Sequence, residues 1–140
     1  MNEKIFFDHE KLIVYQRVLE VIAFFEMIFE KGIGSSYKGQ LERASSSIVH
    51  NIAEGNGKFT SNDRCKYFDI ARGSALECAS GLDIQFVKNK ISKDELNKDK
   101  ILLKEVVSML VGLIKSNSKN RVYEPNVEYS VSEIIKEKED

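Results

Sequence analysis

At 140 residues the chain has room for one hydrophobic core and not for two, and a domain of that size folds without disulfide or metal staples. A single proline (Pro125), no tryptophan and an abundance of Lys, Glu, Leu, Ile and Ser disfavour a turn-dense β-sandwich and point to an all-α fold. The net charge of −1 is divided, +2 over residues 1–120 and −3 over residues 121–140, which excludes the strongly cationic footprint of a dedicated nucleic-acid binder. Any such role has to come from local clustering or from several copies acting together. Cys65 and Cys78 lack metal-ligand spacing, so a reduced, cytoplasmic chain is expected. The opening "MNEKIFFDHEK" turns polar after three apolar residues and "VIAFFEMIF" is interrupted by Glu26, so neither a signal peptide nor a membrane span is expected.

The first helix is predicted from about Glu10 to Lys31, where Val14, Val18, Val21, Phe25 and Ile28 recur at steps of four and three, and Gly32 and Gly34 stop it. Leu12, Leu19 and Phe24 lie off that stripe. The apolar arc is therefore wider than one bundle interior needs, which suggests a second buried face between subunits. A second helix is expected over Tyr37 to Asn56, with Leu41, Ala44, Ser45, Ile48 and Ile52 inward and Gly55 and Gly57 ending it. The third begins after Thr60 or Ser61, either of which can act as N-cap, and runs to about Lys88 on an inner line of Phe68, Ala71, Ala75, Cys78 and Leu82. Small side chains on both helices let the backbones approach closely, and Gly73 and Gly81 read as contact points within that approach. Ser92 and Glu95 have capping-box spacing, which starts a fourth helix near Lys93 with Leu96, Leu103, Val106, Val107, Leu110, Leu113 and Ile114 as its core stripe. The domain is thus expected over residues 1–117. Residues 118–140 read as an acidic tail, partly disordered or swapped between subunits, with a short helix over Val131 to Lys138.

Candidate chemistry is sparse. In "EGNGKFT" glycines free backbone N–H groups and Lys58 supplies charge, yet the spacing of a phosphate loop is absent: Ile52 stands at the position of its first glycine and Phe59 where a magnesium-binding hydroxyl belongs. A helix end and turn, with Phe59 packed back on the bundle, is the simpler reading. His9 and His50 are the only histidines. His50 and Glu54 share a helix face, but two ligand types on one helix make a weak metal site, and no metal or cofactor is expected.

Folding about the 57–60 turn is expected to bring Glu54 towards Arg64, Ser47 towards Ala71 and Arg43 towards Glu77, a polar seam beside the small-residue core. Lys38, Arg43, Lys58, Arg64, Lys66 and Arg72 also cluster on these two helices, and repeated around a ring they can meet several phosphates. Taken singly, each fits a solvated charged face. A second lysine cluster, Lys88 to Lys104, is interleaved with Asp94, Glu95 and Asp99.

"HEKLIVYQRVLEV" (9–21), "RASSSIVHNIAEGNGKF" (43–59) and "YFDIARGSALECASGLD" (67–83) together resemble the four-helix bundle family named for the 23S ribosomal RNA intervening-sequence protein. The resemblance runs over about residues 9–115, and its central signatures are Asn51-Ile52-Ala53-Glu54-Gly55 and Ala71 to Glu77. It implies an antiparallel up-down-up-down bundle, assembly as a ring, commonly a homopentamer, a bacterial origin and no known catalytic activity. A related accessory protein of diversity-generating retroelements implies a link to nucleic acid. Carried over to this chain, Asn51, Glu54, Arg72 and Glu77 are the polar seam. The leading expectation is a non-enzymatic ring that binds structured RNA or another nucleic acid through Arg43, Lys58, Arg64, Lys66 and Arg72. The alternatives are a scaffold that docks a protein partner without touching nucleic acid, and an enzyme with a pocket at His50, Asn51 and Glu54.

Overall fold

The computed structural model describes residues 4–118, so the expected tail and its short helix over 131–138 lie outside the described residues. Within them the chain forms a short 3-10 turn at Asp8–Lys11 and four helices, α1 (Ile13–Phe29), α2 (Ser35–Gly57), α3 (Ser61–Val87) and α4 (Lys93–Asn117), with no strand among the described residues. The 3-10 turn is closed by Glu10, whose carboxylate accepts from the N–H groups of Phe6 and Phe7. That closure delays the first α-helix from Glu10 to Ile13.

The other boundaries follow local chemistry. The Thr60 hydroxyl accepts from the Asp63 N–H at 3.2 Å and starts α3. At its far end the N–H of Lys90 reaches the Gln85 carbonyl and that of Asn89 the Phe86 carbonyl, with Asn89 in the left-handed region at φ 61°. This is a Schellman end, in which asparagine takes the place usually held by glycine. Ser92 and Glu95 then form the expected capping box, at 3.1 and 2.8 Å, and α4 begins.

The five-residue stripe of α1 is buried, as are Leu41, Ala44, Ile48 and Ile52 of α2 and Phe68, Ala71, Ala75, Cys78 and Leu82 of α3. Leu96, Leu103, Val106 and Leu110 complete this single core from α4, joined by Met109. The expected Val107, Leu113 and Ile114 pack only partly against it. α3 packs extensively on both α2 and α4, while α1 makes smaller contacts with α2 and α4.

Two glycines permit the approach of α2 and α3. A Cβ on Gly55 would stand 3.0 Å from the Phe68 ring and from Tyr67 Cβ, and one on Gly81 would stand 2.7 Å from Leu41 Cδ2. Gly55 therefore does not end α2 but packs inside it, and α2 runs on to Gly57. Gly73 differs from its sequence reading, because nothing lies within 4 Å of a Cβ built there. Gly73→Ala is accordingly expected to raise stability by about 1 kcal/mol through helix propensity alone. Denaturant unfolding checks this, and a loss of stability would mean that another surface covers that face.

Candidate functional site

The end of the bundle that holds the α2–α3 turn is tied by side-chain hydrogen bonds from Arg64 and Asn56. Lys58 leaves α2 in an extended conformation (φ −74°, ψ 149°), which exposes the last carbonyls of that helix. Arg64, from the first turn of α3, supplies their partners. Its Nη1 donates to the Asn56 carbonyl at 2.6 Å and the Lys58 carbonyl at 3.3 Å, and its Nε donates to Asn117 Oδ1 at 3.0 Å. The guanidinium also lies over the Phe68 ring, 5.9 Å from its centroid. A cation at a helix C-terminus suits the dipole as well as the orphan carbonyls. Asn56 extends the lattice by donating to Asp8 Oδ2 at 3.0 Å, and that bond holds the Asp8 carboxyl below its ordinary range. One arginine and one asparagine thus join the 3-10 turn, α2, α3 and α4.

Around this clamp the structure distributes the candidate basic residues unevenly. Lys58 places its ammonium 4.8 Å from the Tyr67 ring centroid, and Lys66 is exposed. Neither takes part in an ion pair among the described residues. Arg72 is turned to its own helix, with Nε and Nη2 on Asp69 Oδ1 at 3.0 and 2.9 Å. Arg43 is exposed but lies on α2 fifteen residues before Lys58, roughly 22 Å along the helix axis from it. The turn therefore gathers Lys58, Arg64 and Lys66, while Arg43 and Arg72 stand apart.

The expected polar seam takes a different form. Ser47 meets Ser74, hydroxyl to hydroxyl at 2.8 Å, and not Ala71, a displacement of nearly one helical turn. Asn51 joins them, donating to the Ser47 carbonyl at 2.8 Å and its hydroxyl at 3.1 Å. Glu54 and Glu77 are exposed, and no ion pair among the described residues links Glu54 to Arg64 or Arg43 to Glu77. The Arg64 donors go to carbonyl oxygens because a helix end without a side-chain cap lies closer to hand than a solvated glutamate. Phe59 is a second correction. Its ring is fully exposed, at 103 %, because Arg64 and Phe68 already close that end of the core.

Other chemistry-bearing groups are inward or isolated. The Cys65 thiol donates to the Ile114 carbonyl at 3.3 Å and burial raises its pKa, while burial pushes the Cys78 thiol up to about 12. Neither is poised as a thiolate. His50 is exposed, His9 rests against Phe7 and Tyr15, and no group of three metal-ligating side chains occurs among the described residues. Between α3 and α4 an open apolar groove of about 540 Å³ is lined by Ala75, Ala79, Leu96 and Val107, with the exposed Leu76 and Ile101 and three lysines, 93, 100 and 104, also on its walls. No helix among the described residues is long and apolar enough to cross a membrane.

Comparison with known proteins agrees with this architecture. A crystal structure of a protein of unknown function from the S23 ribosomal protein family of Bacteroides thetaiotaomicron VPI-5482 superposes with a TM-score of 0.68 at 20 % identity, over 74 % of this chain and 99 % of that one. No curated protein matches the chain. The profile of the 23S rRNA-intervening sequence proteins matches residues 10–112, which spans the Asn51-to-Gly55 signature, the clamped turn and most of all four helices. The chain belongs to the 23S rRNA-intervening sequence protein family.

Proposed function

We propose that this chain is a non-enzymatic, antiparallel up-down-up-down bundle that assembles as a ring, a homopentamer, and binds structured RNA or another nucleic acid through phosphate contacts. The observation that carries this reading is the α2–α3 turn, where Lys58 and Lys66 stand without an acidic partner among the described residues on a backbone fixed by Arg64. One copy offers too few cations for appreciable affinity. A ring repeats them, which suits a chain whose first 120 residues carry a charge of only +2. The exposed Leu76 and Ile101 beside the α3–α4 groove support self-association, since a second copy would cover them. The contacts of Leu41 at Gly81, Ser47 at Ser74 and Gly55 at Phe68 support the antiparallel pairing.

In this reading Arg64 shapes the turn and the lysines meet the polyanion. The test is the double charge reversal Lys58→Glu/Lys66→Glu, titrated against a structured RNA at low salt with the assembly mass recorded. Binding is expected to weaken for all sequences alike, by about tenfold or more, and the salt dependence to flatten. Unchanged affinity with unchanged mass would overturn the assignment. The same apolar groove also favours a second reading, a scaffold that docks a protein partner. Partner capture that survives nuclease treatment and is lost in Leu76→Glu/Ile101→Glu would favour it.

A further inference from the structure

We propose that Phe59 is a stacking platform for an unpaired base, so that the turn prefers a single-stranded segment, a loop or an end, over a duplex. The proposal rests on the nucleic-acid reading and deepens it. An apolar ring exposed at 103 % is costly to hold in water, and this one sits on a turn that is held rigid. Arg64 bonds the carbonyls on either side of Gly57, and Thr60 caps the helix that follows. The ring is therefore presented without a loop to order on binding.

Its surroundings fit a nucleotide chain better than a protein surface. Lys58 precedes the ring and Thr60, Ser61 and Asn62 follow it, with Lys66 exposed one helical turn further on. Protein hot spots sit in well-packed apolar centres, whereas a ring set among cations and small polar donors is what single-strand binders use. The pattern recurs at the same end of the bundle. The Asp8–Asn56 bond brings in the segment that carries Phe6 and Phe7, exposed at 72 and 67 %, and Lys4 lies 5.6 Å from the Phe6 centroid.

Charge decides between paired and unpaired ligands. Asp8, bonded by Asn56 and Lys11, and Glu10, whose carboxylate accepts from two backbone N–H groups, keep their negative charges at this end. Glu54 and Asp63 remain exposed nearby and offset part of the lysine charge. A duplex offers this end phosphate alone and binds by the lysine contacts only. A single strand adds base stacking, which is tolerant of sequence and changes affinity by about tenfold per base.

The experiment titrates the full chain against a 20-nucleotide single-stranded RNA and the duplex of the same length, at one salt concentration, with assembly mass recorded. Wild type is expected to prefer the single strand. Phe59→Ala and Phe59→Leu should each lose about tenfold on the single strand and little on the duplex, and Phe59→Tyr should retain affinity. If wild type binds both ligands and Phe59→Ala binds them equally well, the stacking role is overturned and the phosphate reading stands. If wild type binds neither, both fall. A changed assembly mass in Phe59→Ala would place the ring between copies of the chain and overturn the proposal.

Discussion

Replacing Arg64 by alanine is expected to lower the stability of the bundle by about 3 kcal/mol, a fall of roughly 10 °C in Tm. The magnitude follows from what is left behind. The carbonyls of Asn56 and Lys58 and the Oδ1 of Asn117 all lose a charged donor at a part-buried helix end. Arg64→Lys should rescue little, because an ammonium cannot present the planar fork that reaches three oxygens on two helices. Lys66→Ala, two residues on and exposed, should stay within about 0.5 kcal/mol of wild type. Thermal melting of the three variants checks the series. An Arg64→Ala protein that melts like wild type would dissolve the clamp. A weakened binding in any Arg64 variant has to be read against this loss of structure, which is why the lysines are the better probes of phosphate contact.

Asp99→Asn should stabilise the protein above neutral pH, by about 2 kcal/mol at pH 8, and remove most of the difference in stability between pH 5 and pH 8. Asp99 is only 2 % exposed on the core side of α4, and its Oδ2 has no hydrogen-bond partner among the described residues. Loss of hydration, reinforced by the charge of Glu95, pushes its pKa up to about 6. The folded value lies above that of an unfolded aspartate, so the folded state holds the proton more tightly. The contribution to stability is complete below the unfolded value and is lost as pH rises through about 6. Glu95 acts in the opposite sense, since its bonds to Lys31 and Ser92 lower its pKa, but its contribution is lost only in more acidic solution. Urea unfolding at the two pH values separates them. An Asp99→Asn variant with an undiminished slope would remove Asp99 as its source.

Why burial at Asp99 escaped the sequence is instructive. It stands in a lysine-rich stretch, "KDELNKDK", where charge alternation marks a solvated face, yet the three-residue step from Leu96 puts it on the buried stripe with Leu103 and Val106. Gln85 is the same case on α3, buried at 1 % with its Nε2 unpartnered among the described residues. Where periodicity and polarity agreed, as at Val14 to Ile28 or at the Ser92 box, helices and core were legible because a single period and a single cap determine them. The pairing of α2 with α3 was not. It depends on the close approach of the two helices, set where Gly55 meets Phe68 and Gly81 meets Leu41, and Ser47 meets Ser74 in place of Ala71. That displacement turned an expected row of ion pairs into one hydroxyl contact and a helix-end clamp. Lys58, Arg64 and Lys66 were readable as neighbours in sequence, but that the arginine faces carbonyls, Lys58 lies over Tyr67 and Lys66 is exposed is set only by the folded turn.

The most direct test of the account is the salt dependence of binding. Nuclease-treated full-length protein is titrated with a structured RNA between about 50 and 200 mM salt, and the assembly mass is measured in the same buffers. The account predicts a ring whose affinity falls about a hundredfold over that range if four phosphates are contacted. A ring that binds nothing even at the lowest salt, or binding that does not change with salt, would contradict it.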